Sequence, residues 1–136
     1  MPHAKFRVEV LTPEGKAFDE EVEMVSTRTT LGQIGILAHH APVLATLDPT
    51  ELRLYRSDAE IVRFAQAEGY LQVGGNHAML LVEEAIPKES LDVAALRERL
   101  QEAERELEAV GADTEKRRVA ERDRRRAEAF LKIAEG

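Results

Sequence analysis

One change of hydrophobic period, at Pro87, divides this chain into two kinds of structure. Before it, apolar residues recur at every second position in short runs broken by turns. After it, they recur at intervals of three and four. The first pattern is that of a half-buried strand and the second that of an amphipathic helix. The fold class expected is therefore β + α. An N-terminal β-sandwich should fill residues 1–86, and a C-terminal two-helix antiparallel hairpin residues 87–136.

The strands are short. Phe6, Val8 and Val10 alternate with Arg7 and Glu9, and Thr12-Pro13-Glu14-Gly15 reads as a turn. Val22, Met24 and Val25-Ser26-Thr27 suggest a second long strand. Asp48-Pro49 breaks the chain before Leu52 and Leu54 alternate with Arg53 and Tyr55. Ser57-Asp58 turns into Ile61–Ala65, Glu68-Gly69 separates this from Tyr70–Val73, and Gly74-Gly75-Asn76 turns into Ala78–Val82. Short strands at this spacing, with Gly, Pro and Asp at the turns, indicate a sandwich or barrel.

Ser90 reads as the N-cap of the first helix, with Asp92 in its first turn where the helix dipole favours a negative charge. Val93, Leu96, Leu100, Ala103, Leu107 and Val110 form one apolar stripe, and Gly111 stands as a C′ glycine. Asp113 or Thr114 caps a second helix whose stripe is thin: Val119, Ala127, Phe130, Leu131 and Ile133. Between Lys116 and Arg126 it carries seven bases and two acids. Charges of one sign this dense repel within a helix, so the hairpin should hold together weakly by its own packing.

Net charge is −7, and only residues 113–136 are basic, with eight bases against six acids. Nucleic acid is not the expected partner, and the arginines have no aromatic residues interleaved among them. The absence of cysteine excludes disulfides and thiolate chemistry. No apolar run approaches a membrane span, and the start MPHAKFRV lacks the apolar core of a signal peptide, so the chain reads as intracellular. No nucleophile is paired with a base and no phosphate-cradling loop precedes a helix, so there is no catalytic site to assign. His39 and His40 are adjacent and point to opposite faces of an extended segment, which is poor geometry for a shared metal.

One stretch stands out: TLGQIGILAHHAPVLATL, Thr30 to Leu47. Gly32 and Gly35 suggest a tight turn with positive φ values, and apolar residues surround them. An apolar loop at a turn marks either a docking surface or a well-packed cap of the sandwich.

Gly32, Gly35, Ile36, His40, Ala41 and Pro42, preceded by EVEMVST, resemble the epsilon subunits of bacterial rotary, F-type ATP synthases. Glu68-Gly69, the Val73 strand, the Glu83 region and Leu91-Asp92 extend the resemblance over the whole chain. It implies a non-catalytic central-stalk subunit of a proton-driven ATP synthase, with the sandwich at the foot of the stalk. The partners implied are the gamma subunit, the c-ring and, in an inhibited state, the beta subunit. The sandwich would couple ring rotation to ATP synthesis in the catalytic head, and the hairpin would inhibit ATP hydrolysis. The location implied is the cytoplasmic face of the bacterial plasma membrane, with membrane contact only through the complex.

By position, the contact loop for gamma and the c-ring comprises Gly32, Gln33, Ile34, Gly35, Ile36, His40 and Pro42. Gln33 stands where many family members have Glu, which removes a charge and leaves a hydrogen bond. Some members bind ATP on the hairpin through Ile/Leu-Asp-x-x-Arg-Ala. Leu91, Asp92 and, in the second helix, Arg126 match that site, but Ala95, Leu96 and Phe130 depart from it. Loss of the paired arginines should leave weak ATP binding or none, so no cofactor is expected. Arg122, Arg124, Arg125 and Arg126 would supply the inhibitory docking on an acidic segment of the beta subunit. From another class, the residues alone also fit a free-standing β-sandwich binding module with a helical interaction arm.

Overall fold

The computed structural model describes residues 3–136, and the chain divides into two compact units, Met1–Pro87 and Lys88–Gly136. The first holds β1 (Phe6–Thr12), β2 (Gly15–Val22), β3 (Met24–Thr29), β4 (Gly32–Leu37), β5 (Val43–Leu47), β6 (Thr50–Tyr55), β7 (Ile61–Gln66), β8 (Gly69–Gly74), β9 (His77–Val82) and β10 (Ala85–Pro87). The second holds a short 3-10 turn, Lys88–Ser90, then α1 (Val93–Ala109) and α2 (Thr114–Glu135).

The strands pair in the order β10-β7-β6-β3-β5-β8-β9-β1-β2, with β4 beside β3. Neighbours are antiparallel except β1 and β9, which run parallel with Arg7 opposite His77 and Leu11 opposite Leu81. Phe18 on β2 and Phe64 on β7 lie near opposite ends of this order. Their rings nevertheless meet edge to face, centroids 6.4 Å apart. The sheet therefore folds over on itself, and its two layers enclose one core of Phe6, Val8, Val25, Ile36, Leu52, Leu54, Leu71 and Leu80. Two polar contacts adjoin that core: Thr27 Oγ1 donates to Gln66 Oε1 at 2.7 Å, and Gln66 Nε2 donates to the Asp48 carbonyl at 3.0 Å. Gln66 has no exposed surface, and these bonds satisfy its amide.

The expected second long strand is two strands. β2 ends at Val22, and Glu23, whose amide donates to the Tyr55 carbonyl at 2.7 Å, separates it from β3. β2 is hard to see because Lys16, Asp19, Glu20 and Glu21 are exposed, leaving Phe18 and Val22 to mark its inner face. β10 is only three residues long, too short to show a period, and is held by pairing with β7.

The α1 cap is Asp92 rather than Ser90, which lies in the 3-10 turn. Asp92 is extended, with φ −108° and ψ 107°, and its carboxylate accepts from the Ala95 amide at 3.2 Å. Asp113 caps α2 in the same way, accepting from Lys116 N at 3.0 Å. Gly111 takes φ +57° just past α1, as a residue leaving a helix in the left-handed conformation must. The α2 stripe is thicker than the sequence suggested. Ala120 joins Ala127, Phe130 and Leu131 among the buried residues, and the Arg99 guanidinium on α1 lies 5.9 Å from the Phe130 ring centroid.

Candidate functional site

The Thr30–Leu47 stretch is mostly strand. β4 pairs with β3 from Gly32 opposite Thr29 to Leu37 opposite Met24. At the hairpin tip the Thr29 hydroxyl donates to the Gly32 carbonyl at 2.9 Å and accepts from the Leu31 amide at 3.1 Å. Gly32 takes φ +130°, a conformation side chains disfavour. Thr30 ties the tip to β5, its amide 3.0 Å from the Thr46 carbonyl and its hydroxyl 2.8 Å from that of Thr46. Leu31, held between these bonds, is 98% exposed.

This corrects the expected turn at Gly32 and Gly35. Gly35 lies mid-strand opposite Ser26 without a positive φ, and a Cβ there would meet nothing within 4 Å. Pairing with β3 straightens the segment, so only Gly32 needs glycine's freedom. Gln33 is exposed, Ile34 half-buried, and Ile36 fully buried in the core. Ile36 therefore supports the site from beneath and offers no surface to a partner.

The real turn is Leu37–His40, centred on Ala38 and His39, and the loop it begins runs on to Pro42. His39 has φ 63°, and its amide donates to Asn76 Oδ1 at 2.8 Å. The His40 amide donates to the Leu37 carbonyl at 3.2 Å, and His40 Nδ1 lies 2.7 Å from the Ala41 carbonyl. Pro42 is exposed and His40 half-buried.

Beside these loops the outer face of β5, β8 and β9 carries exposed apolar residues, with Thr46 and Gln72 among them. Thr46 stands opposite Tyr70, Tyr70 opposite Leu81, and Leu81 opposite Leu11. Leu44 is two residues from Thr46 on the same outward side. Leu44 is 77% exposed, Tyr70 55% and Leu81 42%. A shallow cavity of about 310 Å³ lies among Leu11, Pro13, Tyr70 and Leu81. Sequence reasoning did not single out Leu31, Tyr70 or Leu81. The available signal was broken alternation: Tyr70-Leu71 and Leu80-Leu81 place apolar residues on both faces of their strands, as a two-sided strand requires.

An ion network continues this outer face across β1 and β2. Asp19 accepts from Arg7 at 3.1 and 3.2 Å and from Lys16 at 2.9 Å. These hydrogen bonds, Arg7 foremost, pull its carboxyl down to about 2. Burial disfavours charge on Glu9, but Lys16 and Arg7 outweigh it and hold that carboxyl below its ordinary value. His77 Nε2 lies 2.8 Å from Glu9 Oε1.

On the hairpin, the residues matched to a nucleotide site are already engaged. Asp92 caps α1, Leu91 is half-buried and Arg126 is only 8% exposed. The four arginines assigned to docking do not share an environment. Arg122 and Arg125 are exposed, Arg124 half-buried and Arg126 buried. Arg122 Nη2 lies 3.0 Å from Asp123, and Arg124 Nε lies 3.8 Å from Glu128.

Residues 5–88 match the family model described as the ATP synthase delta/epsilon chain β-sandwich domain. The chain is 33% identical to the ATP synthase epsilon chain of Sulfurihydrogenibium sp. (strain YO3AOP1), covering 95% of this chain and 96% of that one. It is 35% identical to that of Persephonella marina, again over 95% and 96%. The Priestia megaterium epsilon chain is 39% identical over 75% of each. In fold, it resembles a chain of the Euglena gracilis mitochondrial ATP synthase in an OSCP/F1/c-ring structure. The TM-score there is 0.79 at 22% identity, over 98% of this chain and 82% of that one. A chain from the Tetrahymena thermophila mitochondrial ATP synthase central stalk and c-ring gives 0.65 at 16% identity, over 98% and 99%.

Proposed function

The chain belongs to the ATP synthase epsilon-chain family and is a non-catalytic stalk subunit of that complex, and from this premise we propose that its sandwich docks on the rotor through one continuous surface. That surface is the outer face of β5, β8 and β9 with the β3–β4 tip and the turn and loop from Leu37 to Pro42. The observation that carries the reading is the clustering of Leu31, Leu44, Tyr70 and Leu81. Of the five large hydrophobics that are exposed among the described residues, four lie on or beside this one face. A contiguous apolar patch of this kind marks an interaction site.

The face is assigned to the gamma subunit, against which its exposed apolar side chains would be buried. The tip and turn suit the polar loops of the c-ring, with Gln33 and His40 as polar contacts and Gly32, Ile34, Gly35 and Pro42 shaping the backbone around them. No helix among the described residues is long and apolar enough to cross a membrane. The location proposed is the cytoplasmic face of the bacterial plasma membrane, reached through the complex. The test is Leu44→Asp combined with Tyr70→Asp. Both side chains are more than half exposed, so the variant should fold and melt like the parent but fail to co-purify with gamma. Normal co-purification would refute this use of the face.

The hairpin is proposed to inhibit ATP hydrolysis by setting Arg122, Arg124 and Arg125 against an acidic segment of the beta subunit. Arg126 could join only if released from its buried position. The Arg122→Ala, Arg124→Ala, Arg125→Ala variant should raise ATP hydrolysis by the assembled complex, and an unchanged rate would remove the docking role. ATP itself is not proposed as a ligand, since Asp92 is engaged at the cap and Ala95, Leu96 and Phe130 replace the expected partners. Calorimetric titration should find no micromolar site.

A further inference from the structure

Where β8 turns into β9, Asn76 makes a contact that its own hairpin does not require. Gly75 and Asn76 take φ +57° and +59°, with Gly74 paired opposite His77. Positive φ at both central residues defines a type I′ turn, for which Asn and Gly are the residues best suited. That accounts for the backbone of Asn76 but not for the aim of its side chain. The Asn76 carboxamide reaches across to the His39 amide at 2.8 Å, bridging 37 residues of sequence. His39 is itself left-handed, with φ 63°.

The magnitudes explain why the bridge matters. A non-glycine residue in the left-handed region costs on the order of 1–2 kcal/mol. One hydrogen bond contributes about 0.5–1.5 kcal/mol net. The two are nearly equal, so the conformation of His39 is balanced by the bond that Asn76 supplies. The His40 amide closes the turn on Leu37, the last residue of β4, and His40 Nδ1 contacts the next residue's carbonyl. These bonds stay with the strand that leads into the turn, whereas the Asn76 bond ties it to a second hairpin.

We propose that Asn76 is a positioning residue for the rotor-contacting surface, holding the Leu37–Pro42 loop in its docking conformation from the neighbouring β8–β9 hairpin. The side chain touches no partner itself. It fixes where His40 and Pro42 stand relative to the apolar face of β5 and β8. This inference rests on the docking role proposed above for that turn. Its physical core, the tether, can be tested without that role.

The experiment compares Asn76→Gly and Asn76→Asp in the full chain. Glycine keeps the I′ turn and deletes the acceptor, whereas aspartate keeps both the left-handed preference and an oxygen acceptor. Hydrogen exchange is read at the His39 amide, with the His77 and Met79 amides of β9, which face β8, reporting on the hairpin. In Asn76→Gly, exchange at His39 should accelerate roughly 2- to 10-fold, the range corresponding to loss of one hydrogen bond, while the β9 amides hold. Asn76→Asp should restore slow exchange. An unchanged His39 rate in Asn76→Gly, or equal acceleration throughout β9, would overturn the assignment. So would failure of Asn76→Asp to restore protection.

Reconstitution of the same variants with stalk and c-ring then tests the reading beneath the inference. Asn76→Gly should lower proton pumping per ATP hydrolysed, and Asn76→Asp should recover it. Faster exchange at His39 with undiminished coupling would leave the tether standing and refute the docking role of the turn.

Discussion

Asp92 shows how one carboxylate settles between two roles. Its match to a nucleotide motif is a fact of sequence, but its bond to the Ala95 amide is the ordinary bond of an N-cap. Asp92→Ala should therefore cost about 1 kcal/mol of helix stability, read as a loss of helical circular dichroism on warming. Asp19 makes the opposite point about exposed charge. Its folded carboxyl titrates at about 2, below the ordinary 3.8, so the Arg7 and Lys16 contacts stabilise the fold above that ordinary value. They are lost as pH falls toward 2. Asp19→Asn should melt earlier than the parent at neutral pH, and the gap should close between about pH 4 and pH 2. At this scale the sequence was only partly legible. It points to Ser90 as the cap and to Asp92 as a first-turn charge, and only backbone geometry moves the cap to Asp92. Arg126 could not be told from its exposed neighbours, because a run of arginines reads as a solvated face whichever member turns inward.

Elements with a clean period were legible, and those shaped by pairing were not. Phe6, Val8 and Val10 mark β1 plainly, and all three are buried. β4 was hidden because two glycines so close together look like a turn until β3 is laid beside them. Gly69, read as a corner, opens β8 for a different reason: a Cβ there would come within 2.0 Å of the Leu81 carbonyl oxygen. Backbone cannot yield as a flexible side chain can. Gly69→Ala should therefore destabilise the sandwich by about 1–3 kcal/mol, seen as a lower urea midpoint. In the hairpin, Phe130 has no exposed surface and carries the Arg99 guanidinium on its ring. Phe130→Ala should cost about 3–5 kcal/mol and leave α2 exchanging its amides freely.

At the scale of the molecule, the β + α class followed from the period change, whereas the face proposed for docking did not. A strand pattern tells which residues face away from the core but not which strands lie side by side. Only the order β5-β8-β9 gathers Leu44, Tyr70 and Leu81 into one patch. The same order has a consequence for birth of the chain. β1 leaves the ribosome early, yet its parallel partner β9 begins at His77, behind seven other strands. Until that partner emerges, Val8 and Val10 have no finished neighbour on one side, and the nascent chain waits with a sticky edge. Fragments halted before His77 should clump or recruit chaperones, while those released beyond Pro87 should settle in a single late step.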